Sequence, residues 1–156
     1  MATKATRFIP EGYHSVTPYL YLRDAAKALE FYKRALNASE LFRFPMPDGR
    51  IGHAEIRIGD SVVMLADEAP ERGVKSPQTL GGTSAGMALY VEDCDALFKR
   101  AVEAGAKVDR PLADQFYGDR SGTIIDPFGH RWTISTHLED VSPEEAERRM
   151  KQQKAS

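Results

Sequence analysis

Two stretches of this chain are near copies of each other at one fixed distance. In Thr17-Pro-Tyr-Leu-Tyr-Leu-Arg-Asp24 and Gly86-Met-Ala-Leu-Tyr-Val-Glu-Asp93, Leu20 matches Leu89, Tyr21 matches Tyr90, Leu22 matches Val91 and Asp24 matches Asp93, all 69 residues apart (89 − 20). Repeats of roughly 20 to 50 residues build solenoids, whereas one duplication of about 70 residues calls for two copies of a single supersecondary unit. At 156 residues the chain suits one domain, which buries roughly 70% of the unfolded surface. The expectation is one domain over 1–156, with module one at about 15–66, a linker at about 67–85 and module two at about 86–137.

In module one, residues 19–22 alternate as a strand. Asp24 is placed to cap a helix whose apolar positions Ala25, Ala28, Leu29, Tyr32, Ala35 and Leu36 recur at helical spacing, and Asn37 suits its end. Extended runs follow at 40–44, 52–58 and 61–66, divided by the turn signals Pro47-Asp48-Gly49 and Gly59-Asp60. Module two repeats the order: a strand at 87–91, a helix at 95–104 stopped by Gly105, and extended runs near 107–110, 122–125 and 131–137, with Asp126-Pro-Phe-Gly129 as its turn. The linker is rich in Pro, Gly, Ser and Thr and has no periodicity. Ser142-Pro143-Glu144-Glu145 reads as a capping box with proline at the first helical position, which predicts a charged helix over about 143–151.

The predicted fold class is α+β, with two repeated β-α-β-β-β modules forming a curved, partly closed mixed sheet around a concave cavity. Each helix covers one sheet face and leaves the other open. Strand alternation assigns Leu20, Leu22, Leu89, Val91, Val63, Leu65, Trp132 and Ile134 to the covered faces. The alternates Thr17, Tyr19, Tyr21, Gly86, Ala88, Tyr90, Val62, Met64, Ala66, Arg131, Thr133, Ser135 and His137 are then expected on the open faces.

Charge and composition exclude several functions. With 21 Lys plus Arg against 23 Asp plus Glu, interspersed, there is no basic field to hold a phosphate backbone, so nucleic acid is not expected as a partner. The one cysteine, Cys94, cannot form an internal disulfide, and its place in the first turn of the second helix favours a buried thiol over a nucleophile. The N-terminus lacks a signal-peptide apolar run and no stretch approaches the ~20 apolar residues of a membrane span, so a soluble cytoplasmic protein is expected. No glycine-rich phosphate cradle and no Ser-His-Asp order is present.

Three motifs together, Arg23-Asp24-Ala-Ala-Lys-Ala-Leu-Glu-Phe31-Tyr32, Val91-Glu-Asp93-Cys-Asp95 and Asp126-Pro-Phe-Gly-His130, resemble the vicinal oxygen chelate superfamily, which includes glyoxalase I, bleomycin resistance proteins and extradiol dioxygenases. The resemblance covers roughly 15–137. More narrowly, Asp114-Gln-Phe-Tyr-Gly-Asp-Arg-Ser-Gly122 followed by Asp126-Pro-Phe-Gly-His-Arg-Trp132 looks like the PhnB-like subgroup.

In the metal-dependent members the ligands are His and Glu from the first and last strands of each module. The resemblance places those positions on Thr17, Met64, Gly86 and Thr133, with 86 − 17 and 133 − 64 both 69. A neutral hydroxyl is a weak ligand, a thioether is soft, and glycine has no donor, so the family's usual metal site is expected to be absent, and no cofactor is expected. A weaker alternative metal set is His53, Glu55 and His137, because His53 and Glu55 share a strand face at i, i+2. His130 and His14 read as a turn residue and a pre-strand residue.

What remains is a surface of Tyr19, Tyr21, Tyr90, Met64 and Val62, with Glu55, Arg131 and His137 as polar contacts. An apolar pocket with a few polar groups is the usual form of a small-molecule site, and its aromatic faces suit a planar or cationic ligand. Phe116, Tyr117 and Arg120 could form its mouth, Arg120 alternatively pairing with Asp119 or Asp126. The resemblance therefore implies a metal-independent small-molecule binding protein of the bleomycin resistance type, assembled as a homodimer. The competing class is a lyase, isomerase or other glyoxalase-type enzyme with an atypical metal site or with Glu55 as a metal-free base.

Overall fold

Asp24 and Asp93 open equivalent helices with the same bond. Asp24 Oδ1 accepts from the Lys27 amide at 3.1 Å and Asp93 Oδ1 from the Ala96 amide at 3.0 Å, each satisfying a donor that the first helical turn leaves unpaired. The computed structural model describes residues 1–154. It divides into two compact units, the first Met1–Gly81 and the second beginning at Gly82.

In the first unit the order is β1 (Tyr19–Leu22), α1 (Ala25–Leu36), β2 (Ser39–Pro45), β3 (Ile51–Ile58) and β4 (Ser61–Asp67). These strands form a four-stranded mixed sheet in the order β1-β4-β3-β2, with β1 parallel to β4 and the rest antiparallel. Helix α1 ends at Asn37, which takes the left-handed conformation (φ 55°) that asparagine tolerates better than most residues. Its apolar stripe, Ala25, Ala28, Leu29, Tyr32, Ala35 and Leu36, is buried, as are Leu20, Leu22, Ala54, Ile56, Val63 and Leu65 on the strands.

In the second unit β5 (Gly86–Tyr90), α3 (Cys94–Glu103), β6 (Lys107–Asp114), β7 (Asp119–Ile125) and β8 (Arg131–His137) repeat the arrangement in the order β5-β8-β7-β6. Both sheets are α+β modules of one design, and their registers coincide. Tyr19 lies opposite Met64 and Ala88 opposite Thr133, a shift of 69 on both sides (88 − 19 and 133 − 64). The β3–β4 and β7–β8 turns differ in length, so the residue opposite Met64 is Glu55 while that opposite Thr133 is Thr123.

Trp132 and Ile134 are buried as expected. Leu89 and Val91 are only half-buried, because α3 packs over β6, β7 and β8 rather than over the edge strand β5. The linker is more regular than its composition implies. It holds a 3-10 turn (Pro70–Arg72) and a four-residue helix α2 (Pro77–Leu80), started by Ser76, whose Oγ accepts from the Thr79 amide. The last helix, α4 (Pro143–Lys154), runs one turn beyond its predicted end. Ser142 Oγ accepts from the Glu145 amide, but the Glu145 carboxylate turns to Arg148 and Arg149 instead of reaching back, so only half of the capping box forms.

Candidate functional site

The open face of the first sheet is aromatic, with one buried carboxylate among its rings. Glu55 is only 4% exposed, in the row that crosses β1, β4, β3 and β2 as Tyr19, Met64, Glu55 and Phe42. An isolated buried carboxylate is costly, so its oxygens require donors. Glu55 Oε1 lies 3.0 Å from His53 Nε2, and Oε2 accepts from the Tyr13 hydroxyl. His53 Nδ1 in turn lies 2.7 Å from the Tyr19 hydroxyl. Burial pushes the Glu55 carboxyl above the usual carboxylate range. Burial, and then the neighbouring Tyr21, push the Tyr19 phenol up as well.

Rings surround this chain of bonds. Tyr19 and Tyr21 stack with centroids 5.0 Å apart, Phe42 lies 5.9 Å from His53, and Phe42 lies 5.1 Å from Phe44. Phe44 is 62% exposed, an unusual placement for phenylalanine unless something covers it. Beside the tyrosines opens a pocket of about 490 Å³, lined by Tyr19, Tyr21, Ile51 and Ala66 with Arg50 and Arg72 among its polar groups. That volume lies in the range of small-ligand sites.

The second sheet carries a different network. The exposed Tyr90 donates to Asp119 Oδ2 at 2.7 Å, Asp119 Oδ1 lies 2.7 Å from His137 Nδ1, and His137 Nε2 lies 2.9 Å from Asp140 Oδ1. Burial alone would raise the Asp119 carboxyl, but the donors Tyr90 and His137 hold it below the usual range. The bond to Asp119 pushes the Tyr90 phenol up. His137 is raised above 6.5 by Asp140 first and Asp119 second. A histidine raised on folding contributes stability that is full below its unfolded pKa and disappears as pH rises through the folded value. An NMR titration is thus expected to place His137 above 6.5, and Asp140→Asn to lower it; an unchanged midpoint in that variant would remove Asp140 as the cause.

The predicted site residues therefore fall into two groups. Tyr19, Tyr21 and Met64 share the first sheet's open face with His53 and Glu55. Tyr90 and His137 share the second sheet's network through Asp119. Arg131 is held in an ion pair with Asp109. Arg120 pairs with Asp95 and Asp114 rather than with Asp119 or Asp126, so it braces α3 to the β6–β7 hairpin instead of standing free at a mouth. Thr17 just precedes β1, Gly86 begins β5, and Thr133 shares a 3.1 Å hydroxyl contact with Thr123.

The suggested His53, Glu55 and His137 set is not assembled: among the described residues no three His, Cys, Asp or Glu side chains group so as to hold a metal ion. Both His137 ring nitrogens are engaged by Asp119 and Asp140. Cys94 is buried, with Sγ directed to the Arg120 carbonyl. Sequence reasoning missed Tyr13, Phe42 and Phe44. The alternation of 40–44 could have flagged the two phenylalanines, but Tyr13 lies in irregular chain whose docking no periodicity encodes.

This fold of paired β-α-β-β-β modules is that of the vicinal oxygen chelate proteins, and the sequence agrees. Residues 12–134 match the Glyoxalase/Bleomycin resistance protein/Dioxygenase superfamily, and the chain belongs to that family. It is 44% identical over 142 residues to the uncharacterized protein Rv0887c of Mycobacterium tuberculosis, covering 89% of this chain and 84% of that protein. Among solved structures, TioX from Micromonospora sp. ML1 is similar with a TM-score of 0.63 and 26% identity, over 83% of this chain and 100% of TioX. A PhnB protein from Bacillus cereus shares the fold, with a TM-score of 0.61 and 14% identity over 79% of this chain and 99% of its own. No described helix is long and apolar enough to cross a membrane.

Proposed function

We propose that the chain is a small-molecule binding protein of the bleomycin resistance type that works without a bound metal, as a single cytoplasmic domain over 1–156 paired into a homodimer. Its ligand lies on the aromatic face of the first sheet. The observation that carries this reading is Glu55, a carboxylate buried among rings and held by His53 and Tyr13. A polar group fixed in an apolar surface orients a ligand, while the rings supply contact area. The hydroxyls, thioether and glycine at the family's ligand positions support metal independence. A second reading, a metal-free enzyme with Glu55 as base, is favoured by the raised carboxyl, since a base works best when its pKa nears the working pH.

Titration of metal-stripped protein with 2-naphthamide, a neutral planar probe, tests the proposal. Saturable shifts of the Tyr19 and Tyr21 ring resonances are expected, with elemental analysis showing no stoichiometric transition metal and light scattering giving twice the chain mass. Shifts that require added zinc, manganese or iron would overturn the metal-free reading, and the absence of any shift would overturn the site. A species of one chain's mass would overturn the dimer.

A further inference from the structure

The hydrogen-bond chain on the first sheet has a direction. A carboxylate only accepts, so Glu55 Oε1 requires the proton of its 3.0 Å contact to lie on His53 Nε2. In the neutral imidazole the other nitrogen is then an acceptor. With that tautomer the Tyr19 hydroxyl, 2.7 Å from Nδ1, donates inward to it. The same logic fixes the far end, where Tyr13 donates its only proton to Oε2. Every polar proton of the relay thus points toward Glu55. Tyr19 lines the pocket, and its oxygen, having given its proton inward, offers a ligand only lone pairs.

Resting on the binding function proposed above, we infer that the site selects ligands carrying a cationic N–H donor, of the amidinium or protonated-amine class, over anionic ligands of the same shape. The Tyr19 oxygen accepts the ligand's hydrogen bond, and the stacked Tyr19 and Tyr21 rings offer a face attractive to a cation. The negative charge of Glu55, shielded from water, adds to the same preference, because an inward-polarised chain strengthens the acceptor at its outer end. Most of the remaining charges around the pocket are engaged by other groups. Arg50 is paired to Asp48 and Glu71. Glu68 accepts from the Ser76 amide and the Thr79 hydroxyl, and Asp67 accepts from the Ala25 and Ile51 amides. Arg72, exposed at the rim, is the group that would draw an anion.

Three isosteric probes decide it: 2-naphthamidine, 2-naphthamide and 2-naphthoate, titrated into metal-free protein. The amidinium is expected to bind at least about tenfold more tightly than the carboxylate, the size of one charge-assisted hydrogen bond. Tyr19→Phe, which keeps the ring and removes the acceptor, is expected to abolish that preference. Imidazole nitrogen shifts are expected to identify Nε2 as the protonated nitrogen of His53. Equal or tighter binding of 2-naphthoate, especially if lost in Arg72→Ala, would overturn the inference while leaving the binding function standing. A His53 ring protonated on Nδ1 would overturn it as well. Failure of all three probes would count against the binding function itself.

Discussion

Trp132→Ala is expected to destabilise the protein by about 3–5 kcal/mol, the usual loss on truncating a fully buried large aromatic side chain. Trp132 is 2% exposed on the covered face of the second sheet, and its indole donates to Asp126 Oδ2 at 3.0 Å. Asp126 is itself buried. Its other oxygen accepts from the Phe128 and His130 amides at 2.9 Å, so the same carboxylate shapes the β7–β8 turn. Removing the indole both opens a cavity and withdraws a donor from a buried charge, and the two costs reinforce each other. Tyr90→Ala is the matched control. Tyr90 is 61% exposed and Asp119 keeps His137 as a partner, so a loss of about 1 kcal/mol or less is expected. Denaturant melts of the two variants measure both. The reverse order of effects would mean that the strand faces are exchanged, since a slip of one residue inverts every side chain.

Gly118→Ala is expected to cost about 2–5 kcal/mol, combining a left-handed backbone penalty with overpacking. Gly118 has φ +102°, and a Cβ built there would lie 2.2 Å from the Glu139 carbonyl oxygen and 2.9 Å from a Val141 methyl group. The segment after β8 is stitched to this residue, because the Leu138 and Glu139 amides both donate to the Gly118 carbonyl, at 3.0 and 3.1 Å. Backbone cannot yield as a flexible side chain can. The variant should therefore release residues 138–141 from the hairpin, raising their amide exchange along with the fall in Tm. In a chain ended at Leu138 the clash is gone, and the same substitution should cost only about 1–2 kcal/mol. Equal costs in the full and shortened chains would show that the clash carries none of the effect.

The modules were legible in the sequence because both codes that specify them are local. Asp24 and Asp93 announce helix starts, and the alternation in β1, β4 and β8 assigns faces that burial matches at Leu20, Leu22, Leu65, Trp132 and Ile134. Proline, glycine and serine in the linker concealed a helix that rests on a single hydroxyl cap from Ser76. The site was half legible. Tyr19, Tyr21, Met64, His53 and Glu55 follow from parity within strands, but parity is silent on which oxygen meets which nitrogen. It is equally silent on Tyr13, which reaches Glu55 from 42 positions away through irregular chain. Arg120 shows the same limit, since its partners Asp95 and Asp114 are set by packing of α3 against the hairpin rather than by neighbours in sequence.

The coincident registers of the two sheets give this chain its own blank. Where the first sheet places Tyr19, Met64 and Glu55 in a row, the second places Ala88, Thr133 and Thr123 on the same lattice of backbone positions. The row in the second sheet keeps the pleat, the spacing and the parallel edge pairing but carries small side chains at these three positions, with Arg110 where the first sheet has Phe42. Scaffold and chemistry are thus separated within one molecule: a substitution that weakens both rows reports on the lattice, and one that matters only in the first reports on the side chains. Duplication left one copy bearing the aromatic relay and the other holding its geometry in plain form, so transplanting Tyr, Glu and His onto 88, 123 and 121 is a register-exact experiment that the protein's own history has set up.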